Sequence, residues 1–157
     1  MTTDAPVVLA VNHTALFSGA ESVLLRLLDA ASERGWAVVV ACPDGVLAER
    51  VVQRGMRHLR LPDLMLPKGP RALGYLVVAL RHARAARRLR QSAVHADLLV
   101  ANGIRVLPTV RIARLPVPVA WMVHSMVDRS IWRRVVRSCA PAVDLALVAS
   151  DAVAVTI

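Results

Sequence analysis

Two rhythms of apolar residues alternate along this chain. Compact runs with little polar interruption occupy residues 7–12, 37–42, 58–61, 97–101, 117–124 and 144–149. Runs of this length predict strands, and those without apolar/polar alternation predict strands covered on both faces, as in a parallel sheet. Between the runs, apolar residues recur every three or four positions. Over 20–34 the set is Ala20, Val23, Leu24, Leu27, Leu28 and Ala31, one face of a helix. Further helices are expected over about 46–54, 72–91, 105–114 and 129–139, and another opens after Ser150.

Punctuation agrees with this division. Ser18 followed three residues later by Glu21 is a capping-box pattern that starts the first helix. Gly35 and Gly55 close two helices, and Asp44 is the expected N-cap of the second. Pro118 belongs near the start of its strand, where a missing N–H does least harm. Strand and helix alternate six times. The expected fold is α/β: a Rossmann-like, doubly wound parallel sheet of about six strands in a three-layer sandwich. Residues 1–157 read as one domain.

In such a sheet, ligands sit beyond the carboxyl ends of the strands. The residues there are Asn12 and His13, Pro43 and Asp44, Asn102 and Gly103, His124 and Ser125, and Ser150 and Asp151. The turn Ser18-Gly19 opens a helix whose first amides point outward, a place suited to an anion. A dinucleotide site would need Gly-x-Gly-x-x-Gly here, and only Gly19 is present. Gly-x-Ser-x-Gly is absent, and no carboxylate pair is spaced for glycoside hydrolysis.

Charge and composition add three points. Lys and Arg number 20 against 11 Asp and Glu, a net +9 that favours an anionic partner. Zinc-finger spacing and RNA-module aromatics are missing, so nucleic acid is not expected. Mean hydropathy is +0.51, yet no uncharged run is long enough to span a bilayer. The opening Met1-Thr2-Thr3-Asp4 lacks a basic leader, which points to the cytoplasm. Cys42 and Cys139 have no metal-ligand spacing and read as buried free thiols; no metal site is expected.

The order of motifs carries a resemblance. A strand, a Ser18-Gly19-Ala20-Glu21 turn and a helix lead to Ala41-Cys42-Pro43, then to Leu47-Ala48-Glu49 and Gly55. A strand ending Leu61-Pro62 follows. Next come Asp97-Leu98-Leu99-Val100-Ala101-Asn102-Gly103, Val117-Pro118-Val119 leading to Val123-His124, and Asp144-Leu145-Ala146-Leu147-Val148-Ala149-Ser150. From about Val7 to Ala154 this resembles the N-terminal, acceptor-side domain of family-four retaining glycosyltransferases, one half of a GT-B fold. The resemblance implies transfer of a sugar from a nucleotide-sugar donor to an acceptor, lipid-linked or a glycan, with no further cofactor. It implies that Ser18 and Gly19 face the donor diphosphate. It makes His124 the catalytic residue facing the donor sugar, with Ser125 beside it, and places Asn102 and Gly103 on the acceptor side. A neutral His124 would donate a hydrogen bond to a sugar hydroxyl.

The chain departs from the family pattern at three positions. Ser18 stands where a glycine is frequent, Val100 where the fourth strand commonly ends in histidine, and Ser125 where an aspartate commonly follows the fifth-strand histidine. The family's donor-binding second domain is expected to be absent. The chain should then be inactive unless a separate donor-binding chain completes it. Self-association into a homo-oligomer, or a non-catalytic binding module of the same fold, are the other expectations. Arg81, Arg84 and Arg88 fall on one stripe of the long helix, just after Leu64-Met65-Leu66 and Lys68. That combination suggests peripheral contact with anionic headgroups on the inner face of a membrane.

Overall fold

The computed structural model describes residues 5–65, 71–92, 95–125, 127, 129–148 and 150–155. The six expected strands form: β1 (Val7–Val11), β2 (Ala37–Cys42), β3 (Arg57–Arg60), β4 (Leu98–Asn102), β5 (Val119–Val123) and β6 (Leu145–Val148). All pair in parallel, in the order β3-β2-β1-β4-β5-β6. The helices are α1 (Gly19–Glu33), α2 (Val46–Gln53), α3 (Arg71–Ser92), α4 (Leu107–Ala113), α5 (Ser130–Cys139) and α6 (Asp151–Ala154). The fold is therefore a Rossmann-like α/β sandwich.

Alternation along each strand builds two cores. Val8 and Ala10 face α1 and α2, where Leu24, Leu25, Leu28, Leu47 and Val51 pack with Val38 and Val40. Leu9 and Val11 face the other way, onto Ala85, Ala86 and Leu89 of α3 and Leu107 and Val110 of α4. Each strand of the centre is thus apolar on both sides, which explains its unbroken run. The chain steps from one side of the sheet to the other between β3 and β4. The strand order consequently reverses between β1 and β4, and this is the crevice where a doubly wound sheet receives ligands.

Several boundaries differ from the sequence expectation, each for a visible reason. Asp97 and Asp144 stand just outside β4 and β6. Their carboxylates accept hydrogen bonds from the first amides of neighbouring strands, Val7 N–H and Val119 N–H, each at 2.8 Å. Asp44 is not the N-cap of α2. Gly45 holds that position, and Asp44 pairs instead with Arg60 at 2.8 Å. Leu64 is buried at 3% exposure in the core under α3, so it is not a residue that dips into an interface. Leu66 and Lys68 lie outside the described residues. Among the described residues, no helix is long and apolar enough to cross a membrane.

Candidate functional site

The carboxyl ends of β1, β4 and β5, three neighbours in the sheet, carry Asn12, Asn102 and His124. The structure joins them in one hydrogen-bonded line. Asn12 Nδ2 donates to the Thr14 carbonyl at 2.9 Å, Asn102 Nδ2 donates to Asn12 Oδ1 at 2.8 Å, and His124 Nε2 meets Asn102 Oδ1 at 2.6 Å. Asn12 and Asn102 are 0% and 1% exposed, while His124 is half-buried at the cleft. Two buried amides are tolerable only because each has partners. Burial lowers the pKa of His124, against a smaller upward pull from the Glu21 carboxylate.

The β1–α1 loop folds back over this line and is held at several points. Leu16 N–H donates to Thr14 Oγ1 at 3.2 Å, and the His13 carbonyl accepts from Leu64 N–H at 3.1 Å. Leu47 N–H, in the first turn of α2, reaches the Ala15 carbonyl at 3.2 Å. The Arg50 guanidinium lies 3.7 Å from the centre of the Phe17 ring, a cation–π contact. His13 Nδ1 is buried and makes no hydrogen bond within the described residues. Burial lowers its pKa first and the Arg105 charge second, with Glu21 and Asp63 opposing.

At the loop's end the capping pair forms. Glu21, 3% exposed, accepts from Ser18 N–H at 3.0 Å and from the Ser18 hydroxyl at 2.5 Å. Glu21 is therefore more than a helix cap: its charge acts on both His13 and His124. Ser18 and Gly19 are exposed at the start of α1, and a side chain placed on Gly19 would meet nothing within 4 Å. There is room beside Gly19. Gly103 needs its glycine for a different reason, a φ of 83° that carries the chain from β4 into the short helical turn before α4. Ser125 is exposed beside His124.

A groove of about 680 Å³ opens at the same edge of the sheet, beside β2 and β3. Arg60, Arg84, Arg87 and Arg88 line it together with Asp44 and Asp63. The Arg88 guanidinium donates to the Arg60 carbonyl at 2.8 Å, which fixes it without neutralising it. Among the described residues no carboxylate pairs with Arg84, Arg87 or Arg88. Arg81 is occupied differently, donating to the carbonyls of Asp63 at 3.1 Å and Met65 at 3.3 Å. Upstream on α3, Leu73, Tyr75, Leu76 and Leu80 are all about half or more exposed.

The other histidines have structural roles or none at the cleft. His82 is buried against Thr109 Oγ1 at 2.6 Å, His58 meets the Cys42 carbonyl at 3.0 Å, and His95 is exposed. In the sequence Asn12 stands out only as a strand-end residue, with no role attached to it. The available signal was that two apolar strands, on either side of the reversal in strand order, both end in asparagine.

The glycosyltransferase family 4 model matches residues 17–157. The chain belongs to that family. No curated protein matches it in sequence. Among solved structures it is similar to Anabaena Alr3699/HepE, crystallised with UDP and glucose: TM-score 0.72 at 20% identity, over 95% of this chain and 39% of that one. It is also similar to Acinetobacter baumannii MurG, with TM-score 0.64 at 14% identity over 94% of this chain and 42% of that one. The NAD(P)-binding domain of an exopolyphosphatase-related protein from Archaeoglobus fulgidus matches with TM-score 0.57 at 11% identity, over 94% of this chain and 90% of that one. Likeness at these identities shows the fold alone. The chain spans about two-fifths of the length of HepE and of MurG.

Proposed function

We propose that this family 4 domain is the acceptor-side half of a retaining transferase that moves a sugar from a nucleotide-sugar donor. The observation that carries the reading is the line Asn12–Asn102–His124 at the crevice where the strand order reverses. A neutral, oriented imidazole there suits contact with the donor sugar. The open amide of Gly19, beside the Ser18 hydroxyl, suits the diphosphate, with Ser125 and Gly103 around the reacting groups and Asn102 behind His124. The complex of HepE with UDP and glucose supports the choice of donor class.

The acceptor, in this reading, carries negative charge or stands on an anionic surface. Arg84 and Arg88 with Arg60 and Arg87 face a concave groove at the acceptor end, and exposed Leu73, Leu76 and Leu80 continue the same helix. Peripheral attachment to the inner membrane face follows from that pairing of apolar and cationic residues. Arg81 contributes less, being tied to backbone carbonyls.

Transfer needs the donor-binding half, whether in one polypeptide or in a second chain. The test is turnover of a panel of nucleotide sugars by the completed protein, with His124→Ala as the comparison. A fall of roughly a hundredfold or more, with an unchanged circular dichroism spectrum, is expected. Unchanged turnover removes His124 from the site. No turnover with any donor favours a non-catalytic binding module of this fold.

A further inference from the structure

The direction of the buried line at the crevice is determined at one end. The Thr14 carbonyl can only accept, so the Asn12 amide must present Nδ2 to it. Asn12 Oδ1 is then turned to Asn102 and must be met by a donor, Asn102 Nδ2. That leaves Asn102 Oδ1 for His124, and an amide oxygen also only accepts. The hydrogen between them belongs to His124 Nε2. Turning over Asn12 would set oxygen against oxygen at Thr14. Turning over Asn102 alone would set two oxygens, or an oxygen without a donor, inside a site that water scarcely enters.

We propose that this relay, anchored on the Thr14 carbonyl, holds neutral His124 as its Nε2–H tautomer and so makes Nδ1 a hydrogen-bond acceptor toward ligand. The donor role expected from the sequence is thereby reversed. His124 Nδ1 selects a group that brings its own hydrogen, such as a sugar hydroxyl, and disfavours a carbonyl or phosphoryl oxygen at that point. Asn12 and Asn102 are positioning residues: they act through His124 and are themselves too deeply buried to reach a substrate. What Nδ1 contacts depends on the transferase reading above, but the tautomer does not.

The tautomer is measured directly by ¹⁵N-edited NMR of the imidazole nitrogens above the titration of His124, assigned by loss of the signal in His124→Ala. A pyrrole-type Nε2 and a pyridine-type Nδ1 are expected, with the Nε2–H form in roughly tenfold excess or more. A wild-type spectrum dominated by the Nδ1–H form, or an even mixture, overturns the proposal. Asn12→Leu makes no hydrogen bond to His124 yet removes the anchor. It should let Asn102 turn and raise the Nδ1–H form several-fold, whereas an unchanged ratio shows that the anchor lies elsewhere. Should Asn12→Leu fail to fold, the wild-type spectrum still decides. Failure of sugar transfer in the completed protein would bear on the cleft and leave the tautomer result standing.

Discussion

Gly45 ties the second helix to the loop that carries His13, and replacing it with alanine tests how that loop is held. Its φ of 138° and ψ of −157° lie in a region essentially confined to glycine, so any side chain there costs ~1–3 kcal/mol in backbone strain. A Cβ at Gly45 would also sit 2.9 Å from the Cβ of Ala15, an atom fixed to the loop backbone rather than the end of a flexible side chain. Forcing one methyl into such a contact costs a further ~1–3 kcal/mol. The sum is ~2–6 kcal/mol, a large share of the ~5–15 kcal/mol that holds a typical domain folded. For a chain of this size it corresponds to a fall in Tm of about 4 °C to about 24 °C. Urea denaturation of Gly45→Ala, followed by circular dichroism, measures the cost. Adding Ala15→Gly should return the contact share and leave the backbone share. A loss below ~0.5 kcal/mol for Gly45→Ala refutes both parts, and complete rescue by Ala15→Gly refutes the conformational part.

Three other outcomes are expected. Thr109→Val should destabilise the protein by ~1–3 kcal/mol, because it leaves His82 Nδ1 unpaired between α3 and α4; Thr109→Ser should cost less. Burial holds the pKa values of His13, His82 and His124 below 6.5, so the unfolded chain binds more protons than the folded one beneath that value. Stability should therefore fall as pH drops below about 6.5, with His82 alone giving a slope of up to ~1.4 kcal/mol per pH unit until its folded pKa is reached. Denaturant midpoints that do not change between pH 7 and pH 5.5 would contradict this. Flotation with anionic vesicles should retain the protein at low salt, release it at high salt, and lose the paired variant Arg84→Gln/Arg88→Gln; binding that ignores both salt and the substitutions removes the arginines from the surface.

Much of the architecture is written locally. The unbroken apolar runs at Val7–Val11 and Ala37–Cys42 and the helical spacing from Leu24 to Leu28 each specify an element without help from distant residues. The site is legible only in part. His124 and Asn102 are visible as strand-end residues, but their bond depends on β4 and β5 lying side by side, and so on strand order. The role of Asn12 depends on β1 lying beside β4, 90 residues away in sequence. Asp44 misleads because a glycine one position later adopts a backbone that no other residue would hold, freeing the aspartate for Arg60. Leu64 misleads because an apolar residue in a proline-flanked loop looks exposed until α3 is placed over it.

The two cysteines have a use that their silence provides. Cys42 lies in β2 with 0% exposure, its thiol pushed up to about 12 by burial and the nearby Asp44 charge. Cys139 ends α5 at 4% exposure, its thiol also raised by burial. Neither forms appreciable thiolate in the native protein at neutral pH, so an alkylating reagent must wait for each to come into solvent. The rate at which each is modified then clocks a separate opening. Cys42 times the fraying of the sheet at β2, and Cys139 times the release of α5 from α4. The native chain thus carries two timers of local unfolding, one in a strand and one at the end of a helix, with no label introduced.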